Sequence, residues 1–454
     1  MMKELLDFYE RLEFDDIPSE VIAQARRCFL DWVGVTLGGM AHPATGLMIE
    51  TLLDLGGAEQ ASILGTAAKT SMHHAALING TASHVLDYDD THLGALLHPS
   101  VTIIPAVLAL GESRHASGRD VLLAYLTGFE IETRISIAMG AMHYDIGWHA
   151  TATMGRFGAA AASAKLLGLD RKQTANALGL AGTQASGLRK VFGTMTKSFH
   201  PGKAAADGLL SALLAAKGFT SSEDILIGDK GLGALLSPDY YPTRALAGLG
   251  SVYNIMGISI KPFASCLYTH PVIDGMIYLR DRYGLTPERV KRILCRVSKF
   301  CADAACQKNP QTGLAGKFST YYCAALALAD GRAGESDFAQ ERLDDPLLRD
   351  LMERVEVQTK LSLNESQAEI LVELADRQRI EHKVAFPLGH PEKPLADPDV
   401  EEKFRDLVSG FLNRKQIEAA LKKMAKLDRM NDIAELPVLV TGMLPGAAGA
   451  VARK

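Results

Sequence analysis

No run of apolar residues in this chain is long enough to cross a bilayer. The longest, such as Val101 to Leu110, fall short of the ~18 residues a spanning helix needs, so a transmembrane segment is not expected. The six cysteines, at 28, 266, 295, 301, 306 and 323, contain no CxxC pair. Neither a disulfide framework nor a zinc knuckle is therefore suggested, and reduced thiols are expected. Charge of one sign is also scarce. With 48 Lys+Arg against 53 Asp+Glu the formal charge is −5, which argues against a broad nucleic-acid-binding face. The N-terminus mixes both signs and has neither the basic start nor the apolar stretch of a secretory signal, so a cytoplasmic location is expected. What is present is an ordinary globular composition, 47% hydrophobic and 22% charged over 454 residues, enough for about two domains.

Helical periodicity dominates the first half. From Ser19, which reads as the cap, apolar residues recur at three to four positions (Ile22, Ala25, Phe29, Trp32, Val33) up to Gly38-Gly39, which reads as the stop, the pattern of an amphipathic helix. Further helices are predicted over 71–86, 102–113, 121–139, 151–167, 171–186 and 202–217. Asp170 and Gln173 read as a capping box, and GAAAASAKLLG, Gly158 to Gly168, offers small residues for close helix packing. After about Pro271 the pattern changes. Segments 290–297, 353–360, 368–374 and 380–386 read as strands, with helices over 272–283 and 318–329 between them. Helical periodicity returns from Pro398. The predicted fold is mainly α: an all-helical domain of residues 1–267 completed by 396–454, and a smaller α+β domain of residues 268–395.

Five blocks carry groups suited to chemistry. The densest is HVLDYDDTHLGALLHPS, His84 to Ser100, with three Asp, three His and Thr91 directly after a predicted helix. A single Asp here reads as a helix cap in a solvated turn; the whole cluster, ending in His98-Pro99, reads as a site. Asp87-x-Asp89-Asp90 also resembles the acidic motif of metal-dependent helical cyclases, but no second acidic motif follows, and no metal is expected. In GWHATATMG, His149 stands at a helix start among small residues, where an anion is favoured. In MTKSFHPGKAA, Lys197 and His200 place positive charge in a turn suited to a carboxylate or a phosphate, while Lys203 reads as a solvated turn residue. KPFASCLYTHPVID places Lys261 and His270 at the domain junction, where ligand sites concentrate. In FSTYYCAAL, one of Tyr321 and Tyr322 is expected in the core. The cysteine spacings match no iron-sulphur motif, and GDKGLG matches neither a dinucleotide nor a phosphate loop, so no cofactor is indicated.

In this order the blocks resemble the MmgE/PrpD family, which includes 2-methylcitrate dehydratase, cis-aconitate decarboxylase and iminodisuccinate epimerase. The resemblance runs from the Ser19 helix to about Gly389. It implies an all-helical domain built from both chain ends with an α+β lid, a homodimer, and a cofactor-independent site between domain and lid. Carried onto this sequence, that site would comprise Asp87, Thr91, His98, His149, Lys197, His270 and Tyr322.

The implied substrates are di- or tricarboxylates, and the shared chemistry is proton transfer next to a carboxylate. Lys197, with Lys261 behind it, would supply the positive field. His98, His149 and His270 are acid/base candidates, with His149 and His270 the leading pair. Asp87 and Thr91 would orient a histidine or bind substrate, and Tyr322 would donate a hydrogen bond or a proton. Dehydration of a 2-methylcitrate-like hydroxy acid, the family's namesake activity, stands first. Epimerisation and decarboxylation of a related polycarboxylate are the alternatives. A non-catalytic polycarboxylate-binding member and a metal-dependent helical cyclase are the remoter ones.

Overall fold

The computed structural model describes residues 1–442. It divides into two compact units, one of Met1–Ile258 with the segment from Asp397 onward, the other Ser259–Ala396. The first is helical, as the 3.6-residue periodicity predicts. Its longer helices before Ile258 are α1 (Met2–Arg11), α2 (Ser19–Gly39), α3 (Pro43–Asp54), α4 (Met72–Ala82), α5 (Ser100–Arg114), α6 (Gly118–Asp145), α7 (Ala150–Leu167), α8 (Arg171–Thr183) and α9 (Thr196–Ala216). The Asp170 and Gln173 capping box opens α8, and Gly168 closes α7 in the left-handed conformation. Ser19 does not cap α2; Pro18 occupies that position and Ser19 is the first helical residue. No described helix is long and apolar enough to cross a membrane.

Small residues set how closely these helices pack. A side-chain carbon on Gly208 of α9 would lie 2.4 Å from Cβ of Ala159 in α7, and one on Gly80 of α4 would lie 2.7 Å from Cα of Gly202 in α9. Only glycine allows either crossing. The second contact explains a departure from expectation. Pro201-Gly202 reads as a turn on local propensity, yet α9 runs through it from Thr196, because Gly202 is needed where the backbones meet. Lys197, His200 and Lys203 therefore lie on the first turns of α9.

The second unit carries a four-stranded sheet. Val290–Val297 pairs parallel with Val355–Thr359 and antiparallel with Ala368–Leu374, which pairs antiparallel with Arg379–Val384. Along AEILVEL, Ala368, Ile370, Val372 and Leu374 are buried and the residues between them less so, the alternation of a sheet covered on one face. Helix His270–Tyr283 supplies the cover. A side-chain carbon at Gly275 would lie 2.5 Å from Ile370 Cδ1. The six cysteines are free thiols.

The chain's return to the first unit is anchored by a buried ion pair. Helix Asp397–Val408 lies on α2, and Lys403 Nζ reaches Asp31 Oδ1 at 2.6 Å with both side chains almost fully buried. Lys403 Nζ also donates to the Tyr88 carbonyl at 2.7 Å and lies 3.9 Å from the centre of the Tyr88 ring. This ties the C-terminal helix to the Asp-rich segment after α4. Lys403→Ala would leave the Asp31 charge buried without this partner, and a loss of about 3–5 kcal/mol in urea unfolding is expected. The double variant Asp31→Asn/Lys403→Met, which removes both charges, is expected to recover most of that loss.

Candidate functional site

Three pieces of chain converge in the helical unit: the segment between α4 and α5, the start of α7, and the start of α9. The first turns sharply. Asp87 and Leu96 both adopt left-handed backbone conformations (φ 52° and 55°), which non-glycine residues adopt rarely and Asp more readily than most. Helix α7 begins directly after His149, whose backbone caps it. Gly187 closes the site from the chain after α8. Its carbonyl accepts from the His149 amide at 3.0 Å, and a side-chain carbon there would lie 2.3 Å from Cβ of Ala152.

The carboxylates of Asp87, Asp89 and Asp90 do not converge; each goes to a different partner. Asp87 Oδ1 accepts from Lys197 Nζ of α9 at 3.0 Å. Asp89, fully buried, accepts from two imidazoles: His84 Nδ1 lies 2.9 and 3.0 Å from its oxygens and His98 Nδ1 lies 2.8 Å from Oδ2. Asp90 Oδ2 is in close contact with the Ser100 hydroxyl, which lies 2.7 Å from the Tyr125 hydroxyl. His98 is further fixed by the Asp90 carbonyl at 2.9 Å from its Nδ1, by Thr91 Oγ1 at 3.3 Å, and by its own amide donating to Thr151 Oγ1 at 3.1 Å.

His149 Nδ1 lies 2.9 Å from Nδ1 of His200. Two nitrogens at that distance share one proton, so one imidazole donates and the other accepts. The Phe192 ring stands edge-on to His149 at 4.9 Å, and Lys197 Nζ lies 5.5 Å from its centre. The rings of His84 and His98 are 4.7 Å apart, and those of His84 and His149 are 6.2 Å apart and nearly parallel.

Burial sets most of the protonation states. It pushes His84 and His200 each down to about 4, assisted by Lys197 in both cases, and holds His149 well below the usual histidine range. These rings are neutral near pH 7. Burial works upward on Asp89, but the His84 and His98 rings around it prevail and keep it ionised, well below the ordinary carboxylate range. Asp90 goes the other way. Burial, reinforced by Asp31 and Asp89 and opposed by the Ser100 hydroxyl, raises it to about 7.

Of the residues singled out from the sequence, Asp87, Thr91, His98, His149, Lys197 and His200 are brought together here. His270, Lys261 and Tyr322 belong to the second unit. There His270 begins a helix, fully buried, with Nε2 3.2 Å from the Ser265 carbonyl. Lys261 is buried as well. Tyr322 is the core member of its pair: it is fully buried and its hydroxyl donates to the Asp337 carbonyl at 2.7 Å, so its proton is already engaged within the unit. Lys203 pairs with Asp207 one turn along α9. His84 and Asp89 lie inside a block that the sequence marks, but their spacing gave no reason to prefer them; His200, read from the sequence as part of a positively charged turn, is instead a neutral ring behind His149, because burial lowers it to about 4. Phe192 carries no sequence signal.

His84, Asp89 and His98 are also the one grouping among the described residues with the spacing of a cation site, their donor atoms lying within 4.8 Å of one another. The nitrogens facing Asp89 are its hydrogen-bond donors, however, and the neighbouring carboxylates are committed to Lys197 and Ser100. That donor set suits proton transfer better than a divalent ion, whose ligands present lone pairs.

Comparison with known proteins gives this site a context. Residues 3–244 match the model of the MmgE/PrpD N-terminal domain and residues 263–428 that of the C-terminal domain. A cis-aconitate decarboxylase-like protein of Aspergillus oryzae is 28% identical over 97% of both chains. The human cis-aconitate decarboxylase is 31% identical over 82% of this chain and 80% of its own. The mitochondrial 2-methylcitrate dehydratase of Yarrowia lipolytica is 23% identical over 93% of this chain and 86% of its own.

Asp90 yields a prediction on stability. Its folded value lies above the unfolded one, so between about pH 4 and 7 the folded state holds a proton that the unfolded state has lost, and stability falls as pH rises. Asp90→Asn mimics the protonated form and removes this dependence. Its stability relative to the unsubstituted protein is expected to increase by about 1–3 kcal/mol between pH 5 and pH 8, read from denaturant unfolding at the two pH values.

Proposed function

Because the chain belongs to the MmgE/PrpD family, we propose that it is a lyase acting on a di- or tricarboxylate, and that its reaction is decarboxylation of a cis-aconitate-like unsaturated acid. The sequence argument put dehydration first, on the family's namesake. Similarity to decarboxylases along most of the chain moves the preference to decarboxylation. The observation that carries the reading is the gathering of His84, His98, His149 and His200 around the buried Asp89 and the Lys197–Asp87 pair.

In a β,γ-unsaturated carboxylate, the electron pair of the C–CO2 bond forms a new double bond while the old one takes up a proton at its far carbon, and CO2 departs. One group must deliver that proton, and cations must hold the remaining carboxylates. With Nδ1 of His98 committed to Asp89, Nε2 is its reactive nitrogen. The His149 and His200 pair shares a mobile proton nearby. Lys197, now on Asp87, is the cation that a substrate carboxylate would recruit. By family resemblance His270 of the second unit is the second acid/base group and Lys261 supports the positive field, while Tyr322, whose hydroxyl is held by the Asp337 carbonyl, is given no proton-transfer role. A homodimer is likewise proposed by resemblance.

Dehydration is the second reading, favoured by the likeness to a 2-methylcitrate dehydratase. Both are tested by proton NMR of EDTA-treated protein in D2O with cis-aconitate, 2-methylcitrate, citrate and iminodisuccinate in separate tubes. The expected result is loss of CO2 from cis-aconitate with one deuterium entering the product. Loss of water from a hydroxy acid, or exchange without net loss, moves the assignment to dehydration or epimerisation; abolition by EDTA overturns the metal-free reading. Lys197→Ala is expected to lower kcat/KM by tens to thousands of fold, the ~2–4 kcal/mol of one such electrostatic contact. His149→Ala and His270→Ala, shown folded by circular dichroism, should each lose most turnover.

A further inference from the structure

His84 is a buried histidine whose hydrogen bonding is half complete. Its side chain is inaccessible to solvent, Nδ1 is engaged with both oxygens of Asp89, and Nε2 has no hydrogen-bond partner among the described residues. A side chain needed only to fill this space would not carry an unsatisfied polar atom, since burying one is unfavourable. The polar half that is used faces the carboxylate that also accepts from His98 Nδ1 at 2.8 Å. Asp89 is thus shared: it receives one N–H from each of two imidazoles. A buried carboxylate bearing both donors places a proton on each Nδ1 and leaves a lone pair on each Nε2.

We propose that His84 is a positioning residue for His98: by taking a share of the Asp89 charge, it limits how strongly Asp89 stabilises the protonated His98 ring, and so sets the pH at which His98 Nε2 gives up or takes a proton. The proposal rests on the proton-transfer reading of this site and names the group that tunes it. A lone aspartate behind a histidine favours the imidazolium; an aspartate that already accepts from a second donor favours it less.

The groups facing His98 within the helical unit come from three elements. The segment after α4 contributes His84, Asp89, Thr91 and the Asp90 carbonyl, with the Asp90 carboxyl turned to Ser100. Helix α7 contributes Thr151 and, just before it, His149; α9 contributes Lys197, paired with Asp87, and His200 behind His149. Lys197, His149 and His200 keep their places and partners when position 84 is substituted.

Two variants separate tuning from packing. His84→Asn keeps an N–H donor near the position of Nδ1; His84→Leu keeps similar bulk without a donor. In the pH dependence of kcat/KM on whichever polycarboxylate is turned over, His84→Leu is expected to move the acid limb upward by about one pH unit. His84→Asn is expected to stay within a few tenths of the unsubstituted protein. Identical profiles for the two variants, or an unmoved limb in His84→Leu, would overturn the proposal. A second measurement needs neither turnover nor a substitution: nitrogen–proton correlation spectra of the histidine rings in the full-length protein. They should show Nδ1 protonated and Nε2 unprotonated for both His84 and His98 at roughly pH 7, and a proton on His84 Nε2 would overturn the sharing of Asp89. If none of the four acids is turned over, the functional reading fails while the spectra still decide the role of His84.

Discussion

An ionised carboxylate buried inside a helical bundle is the constraint on which this site depends. Asp89 has no access to water and keeps its charge because two imidazoles donate to it. Removing a carboxylate from water is costly unless its hydrogen bonds are replaced. Once those donors are supplied, several other features follow. His84 and His98 each have one nitrogen committed and a defined orientation. Asp90, next in sequence and equally buried, sits beside an existing negative charge and is pushed toward its protonated form. Three aspartates within four residues thereby acquire three states: one paired with lysine, one ionised between histidines, one pushed up to about 7 against a serine.

The bundle around this charge is built for close approach rather than for bulk. Glycine at 80, 202 and 208 lets α4, α7 and α9 pack backbone against backbone, and that proximity places the start of α7 and the start of α9 beside the turn after α4. Interiors packed this tightly transmit small changes in side-chain volume, which suits a site whose parts come from three separate segments. The Lys403 and Asp31 pair extends the same arrangement to the C-terminal helix, since the lysine also holds the Tyr88 carbonyl within the Asp-rich turn. Residues more than three hundred positions apart in the chain thus brace one loop.

Most of the helices were legible because burial imposes a 3.6-residue period, and the Asp170 box and Gly168 stop mark their ends as well as chemistry alone can. The strand Ala368–Leu374 was legible for the equivalent reason, a period of two on a sheet covered on one side. The start of α9 was not, because Pro201-Gly202 argues locally for a turn while packing against Gly80 demands helix. In the site, His98, His149, Lys197, Asp87 and Thr91 were accessible as dense or unusual blocks. His84 was not separable from its polar neighbours, since nothing in spacing tells which histidine of a block turns inward, and His200 was legible as a member of its block but not as a neutral ring. Phe192 had no signal at all; its place depends on the loop before α9.

By itself the sequence determined the class of the molecule, the helical and mixed halves, and the inventory of histidines, lysine and aspartates available for proton transfer, because composition and periodicity respond to burial along a single element. Only the tertiary structure decided which aspartate stays charged, which imidazole nitrogens are committed, and that Tyr322 spends its hydroxyl on a backbone carbonyl. Those outcomes depend on desolvation and on partners brought from distant segments, and neither is encoded in the spacing of residues along one stretch of chain.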